Sequence, residues 1–468
     1  MVEFLEIIKQ KKDLNVFKIL DGQDSFYVTR SDFYKEIMRC ANYLNKRLGN
    51  LEGKHIGIYL DSCYEYTALL CAILFNRAVA VPLIVLESVD NIKYEIMHAD
   101  LDALVISDSQ NEIKKEITVE TINIKDLFSG EYVDYELKDF SDDEEKSLAM
   151  IVYTSGTTGV PKGVMLSVGN LFKYPKALAD DNSPFDHLNG ITIYNNFPFY
   201  HVAGIYGFIS RMEEECITYL STNPGNILMD LENEKVDCVF VIPSTLKLWE
   251  KAIRRGSDKI LGDARLITTA GAPANFEVVQ GFLDRGLSYG QYYGMTETTG
   301  NISFNFDCSK HLKSVGRPDE MTKVTIEDGE ICVTGPGVML GYYKDSEATA
   351  ECMQGETLHT GDLGYVDEDG YVYITGRKKN LIILSGGENV SPEELERLIS
   401  KNEKVIECRV YAADDRICAD IFADGNNADE VKNYVASLNK TLPIYKKIHK
   451  VNVQNAPLEK TSIGKIKR

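Results

Sequence analysis

The chain has 468 residues, of which 44% are hydrophobic, and this length allows about two or three domains with sizeable buried cores. Its formal net charge of -20 argues against a general nucleic-acid or membrane-surface binder, because phosphate backbones and anionic lipids attract basic surfaces. The ten cysteines form no CxxC pair and have no histidines nearby at zinc spacing. We therefore expect reduced thiols and a cytoplasmic location.

Two apolar stretches are interrupted in ways that argue against export and membrane insertion. Glu3 and Glu6 lie within the N-terminal apolar stretch, where a signal peptide would have an uninterrupted apolar segment. The most apolar run, Thr67 to Leu86, is broken by Asn76 and Pro82, whereas a membrane span needs about 20 nearly uninterrupted apolar residues. This run predicts a buried helix followed by a buried strand.

The first half of the chain alternates helical and strand patterns. This alternation favours a parallel sheet covered by helices. The predicted elements are a helix over Phe33 to Leu48, a strand over His55 to Leu60, a helix from Tyr64, and strands over Ala78 to Ile84, Asp237 to Ile242 and Arg265 to Thr269.

After Val315 the pattern changes to short alternating strands with glycine turns, and from Ser391 a capped helix with Pro392 begins a further α+β region. The predicted fold class is α/β, with two α/β subdomains and a β-rich subdomain in a large N-terminal domain, residues 1–376. A hinge over 377–380 and a small mobile α+β domain over 381–468 complete the prediction. The β-rich strands are expected over Lys323 to Ile326, Glu330 to Val333 and Tyr371 to Ile374.

The segment Tyr153 to Gly163 is dense in hydroxyl groups and glycines and contains one lysine. Such a loop suits phosphate, because glycine permits close backbone approach, hydroxyls and amides donate hydrogen bonds, and Lys162 supplies positive charge. It is not a Walker loop, since Lys162 is followed by Gly163 rather than by Ser or Thr. By itself, a loop of this composition is more often an ordinary surface turn.

Four further motifs follow in the chain: Tyr292 to Glu297 (YYGMTE), His359 to Asp362 (HTGD), Gly376 to Asn380 (GRKKN) and Pro457 to Lys465 (PLEKTSIGK). With the hydroxyl-rich loop, they make the sequence resemble the adenylate-forming superfamily of acyl-CoA synthetases, peptide-synthetase adenylation domains and beetle luciferases. The resemblance covers nearly the whole chain, and its weight comes from five motifs in the family's order and approximate spacing.

The resemblance implies a nucleotide site. Thr154 to Lys162, including Ser155, Gly156, Thr157, Thr158 and Gly159, would wrap the β- and γ-phosphates of ATP. Tyr293, followed by Gly294, would stack on adenine, with Gly271, Ala272 and Pro273 on the other side of the base. Thr296 would donate to the α-phosphate and act in catalysis, and Glu297 would hold Mg²⁺, a hard cation that prefers carboxylate oxygen. A core tyrosine is the alternative for Tyr293.

The same resemblance assigns the C-terminal motifs. Asp362 would accept both ribose hydroxyls, and Arg377 would lie near the ribose and phosphate. Lys379 would be the position about which the small domain swings. Lys465 would be the catalytic lysine that bridges the substrate carboxylate and the α-phosphate. Without the motif context, Asp362 would be read as a turn cap, and Lys379 and Lys465 as solvated charges.

For thiol transfer, the resemblance points to Gly386 and Gly387, which would line a pantetheine tunnel; an ordinary Gly-Gly turn is an equal alternative. The basic tail from Lys440 to Arg468 has eight Lys or Arg residues against Glu459 as its only acid, and it would suit CoA phosphates or an acidic carrier protein.

The acid substrate is less determined. The motif Phe197 to Gly204 matches the family's acyl-pocket segment, with His201 at the position that often guards the carboxylate, and no aspartate for a substrate ammonium occurs between Asn196 and Ser210. The neighbouring apolar residues predict a pocket for a fatty or aromatic acid. They are Val202, Ala203, Ile205, Ile242 and Ala270.

The predicted function is therefore ATP-dependent ligation of a carboxylic acid through acyl-AMP to a thiol, most simply CoA. Transfer to carrier-protein phosphopantetheine and an o-succinylbenzoate-CoA-type ligase stay open as alternatives. A γ-phosphate kinase would need a Walker loop or kinase signature, which the sequence lacks. A non-catalytic binder would have no use for the combination of Glu297, Asp362 and Lys465.

Overall fold

The computed structural model describes residues 2–134, 144–154, 160–174, 190–213, 215–254, 261–272, 274–306, 308–384, 389–413, 416–423, 425, 427–460 and 466–467. The chain divides into two compact units: Met1–Lys323 with Val333–Leu358, and Val324–Cys332 with His359–Arg468. The predicted domain limits at 376 and 381, and the hinge between them, stay predictions.

Several helices begin at a residue whose side chain caps the first turn. Thr29 accepts a hydrogen bond from the Asp32 amide at the start of the second helix, and Ser391 caps its helix through the Glu394 amide, with Pro392 at the first position. All three predicted helix starts are confirmed to within a few residues. The helices are α1 Val2–Gln10, α2 Arg30–Leu48, α3 Tyr64–Phe75, α4 Val89–His98, α5 Ile124–Phe128, α6 Val202–Glu213, α7 Ile227–Asn233, α8 Pro243–Arg254, α9 Phe276–Leu283, α10 Ser346–Cys352, α11 Pro392–Ile399 and α12 Ala428–Leu438.

The predicted strands are also present, with bounds within three residues of those expected. The strands are β1 Asn15–Asp21, β2 Asp24–Thr29, β3 His55–Tyr59, β4 Val79–Pro82, β5 Ala103–Ile106, β6 Glu120–Asn123, β7 Leu148–Thr154, β8 Lys162–Ser167, β9 Thr192–Asn195, β10 Ile217–Ser221, β11 Cys238–Val241, β12 Leu266–Thr269, β13 Ser288–Tyr293, β14 Ser303–Asn305, β15 Arg317–Pro318, β16 Lys323–Glu327, β17 Glu330–Thr334, β18 Gly341–Tyr342, β19 Met353–Gln354, β20 Thr357–Val366, β21 Val372–Arg377, β22 Ile382–Ile383, β23 Asn389–Val390, β24 Val405–Ala413, β25 Arg416–Ala423 and β26 Ile448–Gln454.

The first unit contains two mixed sheets. One has the order β15-β14-β13-β12-β11-β9-β10-β1-β2, in which the strands from β13 to β1 are parallel and the edge strands are antiparallel. The other has the order β18-β8-β7-β4-β3-β5-β6, with β8 and β18 antiparallel. Two such sheets confirm the predicted α/β class.

Helix α3 lies in the core of this unit. Every residue from Tyr66 to Phe75 is buried, as the apolar run predicted, and Phe4, Phe33 and Phe208 pack in the same cluster. Burying an aromatic or aliphatic side chain contributes roughly 1.5–3 kcal/mol, so this cluster stabilises the unit strongly. Among the described helices, none is both long and apolar enough to cross a membrane.

In the second unit, β16, β17 and β20 are successive neighbours, and β21 pairs antiparallel with β20. A separate three-stranded sheet, β24-β25-β26, packs against α11 and α12 around a core that includes Leu395, Val410 and Val431. This region has the α+β composition that the sequence predicted.

Candidate active site

The hydroxyl-rich loop connects two antiparallel strands in the first unit. Thr154 is the last residue of β7 and Lys162 the first of β8, and the two are opposite each other in the strand register. The loop therefore begins and ends at one point on the sheet edge. Ser155, Gly156, Thr157, Thr158 and Gly159 lie outside the described residues.

A tyrosine links this loop to the predicted metal ligand. The Tyr342 hydroxyl donates to Glu297 Oε1 at 2.8 Å, and the Lys162 ammonium lies 5.0 Å from the centre of the Tyr342 ring. Burial, followed by the charge of Glu297, raises the pKa of Tyr342 well above its usual range, so the hydroxyl stays a donor at neutral pH. Tyr342 is on β18, next to β8, and sequence reasoning missed it.

Glu297 lies in a tight turn that the surrounding backbone fixes. Thr296 and Glu297 belong to a 3₁₀ turn, Thr296–Thr298, in which Thr296 is half-buried and Glu297 is 7% exposed. At Gly294 a Cβ atom would lie 2.3 Å from the Gly300 carbonyl oxygen, so this approach requires glycine. A buried carboxylate oriented by a hydroxyl donor fits a divalent cation, whose preferred ligands are oxygens.

The predicted adenine contacts lie at the carboxyl ends of β12 and β13, which are adjacent and parallel. Tyr293, the last residue of β13, is 7% exposed, while Gly271 has φ +82° and Ala272 is exposed just after β12. Ligands of open α/β sheets bind outside the carboxyl ends of the strands. Pro273 lies outside the described residues, and adenine contact stays a prediction.

A pocket opens beside these strand ends, along one face of α6. The His201 backbone carbonyl accepts hydrogen bonds from the Gly204 and Ile205 amides at the start of α6, and the residue is half-buried. Ala203 and Ala270 line the pocket as expected, whereas Val202 and Ile205 belong to the core and Ile242 is 41% exposed beyond the end of β11. The lining residues are Ile193, Ala203, Tyr206, Gly207, Ser210, Arg211, Cys238, Phe240, Thr268, Ala270, Tyr292 and Gly300.

One lining residue is charged, and sequence reasoning missed it. Arg211 is 8% exposed, donates from Nη1 to Asn195 Oδ1 at 3.0 Å, and has its guanidinium 5.1 Å from the Phe240 ring centre. The Asn195 amide nitrogen donates to the Phe197 carbonyl at 2.9 Å, which turns Oδ1 toward the arginine. The pocket wall is therefore not wholly apolar.

In the second unit, the predicted ribose residues form an ion pair. Arg377 Nε lies 2.5 Å from Asp362 Oδ1, and the two residues are register partners in β20 and β21. Glu330 supports both: its carboxylate accepts from the Gly361 amide and the Lys378 ammonium, each at 2.8 Å. Burial opposes ionisation, but these donors outweigh it and lower the pKa of Glu330, so the carboxylate stays charged.

The remaining C-terminal predictions are only partly within the described structure. Lys379 is exposed in a 3₁₀ turn, Lys378–Asn380. Gly386, Gly387 and Lys465 lie outside the described residues.

The residues flanking the Lys465 segment are described. Lys460 pairs with Ile466 in an antiparallel bridge, and Glu407 contacts the Lys460 ammonium at 2.5 Å and accepts from the Leu458 amide at 2.8 Å. Glu407 therefore holds residues 458–460, which lead into the predicted catalytic segment.

These features define an α/β enzyme fold with a pocket beside the strand ends of its first unit. A family model for the AMP-binding enzyme matches residues 8–343, and the chain belongs to this family.

Individual relatives extend the likeness to the whole chain. The chain is 28% identical to the 2-succinylbenzoate–CoA ligase of Oceanobacillus iheyensis, over 93% of this chain and 92% of the relative. It is 33% identical to the feruloyl-CoA synthase of an Amycolatopsis species, over 59% of this chain and 60% of that relative. Among solved structures, ATP-bound MatB of Rhodopseudomonas palustris matches with a TM-score of 0.87 at 25% identity, covering 99% of this chain and 96% of that one. The structure of Bacillus subtilis o-succinylbenzoate CoA synthetase, MenE, in complex with its acyl-adenylate matches with a TM-score of 0.85 at 23% identity. It covers 99% of this chain and 96% of that one, which supports the fold.

Proposed function

We propose that this protein is an ATP-dependent, AMP-forming ligase that joins a carboxylic acid to CoA. The observation that carries the proposal is the linked set of Lys162, at one end of the hydroxyl-rich loop, Tyr342 and Glu297, in a chain of the AMP-binding family. A γ-phosphate-binding lysine and a metal-binding carboxylate are the groups that pyrophosphate release requires.

In the first step, a carboxylate oxygen of the acid attacks the α-phosphorus of ATP, and the bond from that phosphorus to pyrophosphate breaks. Lys162 would bind the departing phosphates, and Thr296 would donate to the α-phosphate. Lys465 would lie between the two anions that must approach each other, which lowers their repulsion. His201, at the start of α6, would orient the carboxylate of the acid.

Glu297 would hold Mg²⁺, which would neutralise charge on the phosphates. Tyr342 would fix which carboxylate oxygen faces the ion, because its hydroxyl occupies Oε1. Asp362 and Arg377 would bind the ribose, with Glu330 holding their chain neighbours Gly361 and Lys378.

In the second step, the CoA thiolate attacks the acyl carbon, the carbon–oxygen bond to AMP breaks, and the thiol proton is released to solvent. Relatives named as CoA ligases support CoA as the acceptor. The glycines at 386 and 387 and the hinge at Lys379 are proposed for this step. Carrier-protein phosphopantetheine is the alternative acceptor, and a cytoplasmic location suits either.

Acid-dependent exchange of labelled pyrophosphate into ATP, across fatty, aromatic and amino acids, tests the first step. Ligases give exchange, kinases release ADP, and a binder gives neither. Absence of exchange with every acid would contradict the proposal. Adding CoA or a phosphopantetheinylated carrier protein then identifies the acceptor.

Lys465→Ala separates the two steps. We expect it to abolish acyl-AMP formation and to leave thioester formation from supplied acyl-AMP largely intact. Equal loss of both steps would contradict the assignment of Lys465 to adenylation alone.

A further inference from the structure

We infer that Glu327, Cys332 and His359 form a binding site for Zn²⁺ or a chemically similar divalent transition-metal ion. All three residues belong to the second unit, whereas Glu297, the residue proposed to hold Mg²⁺, belongs to the first. The site is therefore a second metal site, and it is independent of the proposed ligase chemistry.

Three neighbouring strands bring these side chains together. Cys332 is on β17 and His359 on β20, its neighbour in the sheet, although the two are 27 positions apart in the chain. Glu327 is the last residue of β16, on the other side of β17. Asp328 and Gly329 both have positive φ, as a two-residue hairpin turn between β16 and β17 requires. One donor atom from each of the three side chains lies within 4.8 Å of the others.

The separations suit a shared ion. His359 Nδ1 is 3.4 Å from Cys332 Sγ. Zinc bonds are about 2.3 Å to sulfur and about 2.0–2.1 Å to nitrogen, so this pair would subtend about 100° at a common ion, close to the tetrahedral angle. The Glu327 side chain is 51% exposed and can move inward to become the third ligand, and a water molecule would complete a four-coordinate site.

The second nitrogen of the ring also favours a ligand here. His359 Nε2 is buried and has no hydrogen-bond partner among the residues that the structure describes, and Glu327 Oε2 lies 4.0 Å away, beyond hydrogen-bond range. A buried polar atom without a partner is unfavourable. Movement of Glu327 toward the ion shortens this distance, so metal binding would also satisfy the ring.

The charges around the ring leave a deficit that a divalent cation fills. Glu330 Oε2 lies 3.6 Å from His359 Nδ1 and is paired with the Lys378 ammonium at 2.8 Å. With Cys332 as the thiolate, the carboxylates of Glu327 and Glu330 and this one ammonium leave two negative charges. A thiolate and an imidazole select Zn²⁺ over Mg²⁺, which prefers oxygen. On binding, the sulfur–hydrogen bond breaks, a metal–sulfur bond forms, and the proton passes to solvent.

Cobalt is a direct probe, because Co²⁺ occupies zinc sites and a thiolate ligand gives it a charge-transfer absorption band. Full-length protein is treated with a chelator, exchanged into excess Mg²⁺ to occupy oxygen-ligand sites, and titrated with Co²⁺. We expect a thiolate–Co²⁺ band that saturates at a single equivalent and is displaced by Zn²⁺, and a higher melting temperature with Zn²⁺ than with Mg²⁺ alone. Absence of the band in folded wild-type protein would overturn the inference and leave the ligase proposal standing.

Variants assign the ligands. Cys332→Ser should abolish the band, and His359→Gln and Glu327→Gln should each weaken Co²⁺ binding about tenfold or more. Cys418→Ser is the matched control and should keep the band. Both cysteines are buried strand residues of the second unit, with the sulfur 3.8 Å (Cys332) or 3.7 Å (Cys418) from the carbonyl oxygen two residues earlier.

Glu327→Gln changes an exposed side chain, so it tests the site even if Cys332→Ser does not fold. An unchanged Co²⁺ affinity in Glu327→Gln, or loss of the band in folded Cys418→Ser, would contradict the assignment of the three ligands.

Discussion

The contact between Tyr342 and Glu297 allows a substitution that removes one interaction at a time. Tyr342→Phe deletes the hydroxyl that donates to Glu297 at 2.8 Å but keeps an aromatic ring beneath the Lys162 ammonium. Loss of a partner that orients a metal ligand typically costs about 10–100-fold in metal affinity or activity. We therefore expect the Mg²⁺ concentration for half-maximal pyrophosphate exchange to rise about tenfold or more, with little change in KM for ATP at saturating Mg²⁺.

Tyr342→Leu removes the ring as well. A cation–π contact contributes about 0.5–2 kcal/mol, so this variant should also raise KM for ATP by roughly 2–30-fold. Binding of Mn²⁺ with ATP, followed by electron paramagnetic resonance, measures the metal contact independently of turnover.

Tyr343→Phe is the control, because the neighbouring hydroxyl donates to Asp100 at 3.1 Å instead. The reasoning is refuted if Tyr342→Phe leaves the metal requirement unchanged, or if Tyr343→Phe shifts it equally.

Three further substitutions test other parts of the structure. Glu407→Gln removes the charge that contacts Lys460, so the segment before Lys465 should be held less firmly and acyl-AMP formation should slow about tenfold or more. Thioester formation from supplied acyl-AMP should be unaffected. Glu430→Gln, on an exposed helix face, is the control and should change neither rate. Gly294→Ala should lower the free energy of unfolding in urea by about 1–3 kcal/mol. Gly130→Ala should lower it less, because a Cβ atom at that position would lie 3.6 Å from its nearest neighbour, an ordinary contact distance. Burial, followed by the charge of Glu87, raises the pKa of Glu95 to about 8 from an ordinary 4.5, so the folded state binds more protons than the unfolded state between these values. The contribution of Glu95 to the free energy of unfolding should therefore fall as pH rises through this window, by up to about 1.4 kcal/mol per pH unit, and this contribution should be absent in Glu95→Gln. An equal change in the free energy of unfolding between pH 5.5 and 8.5 in both proteins would contradict the prediction.

Elements with continuous apolar runs or local helix caps could be predicted from the sequence. The buried helix Tyr64–Phe75 and the strand Cys238–Val241 were found because their apolar runs reflect burial on every side. The capped start at Ser391 was found because local hydrogen bonds within one turn determine it.

The side chains that support the site depend on distant pairings. Tyr342 reaches Glu297 across 45 positions, through a two-residue strand that pairs with β8, and no local pattern encodes that register. Glu330 on β17 likewise accepts from the Gly361 amide on the neighbouring strand β20, 31 positions away in the chain. Ile242 is expected in the pocket as an apolar residue, but it follows the last residue of β11, is 41% exposed and is not among the residues that line that pocket.

In the first unit, the pocket beside α6 and the residues proposed to bind phosphate belong to different elements. Five of the pocket residues belong to one face of α6, while Lys162, Tyr342 and Glu297 belong to β8, β18 and a turn. Substitutions at 203, 206, 207 and 210 should therefore reshape the cavity without touching the groups proposed to bind ATP. Under the proposed function, changes within the twelve residues of this one helix would alter which acid the enzyme accepts.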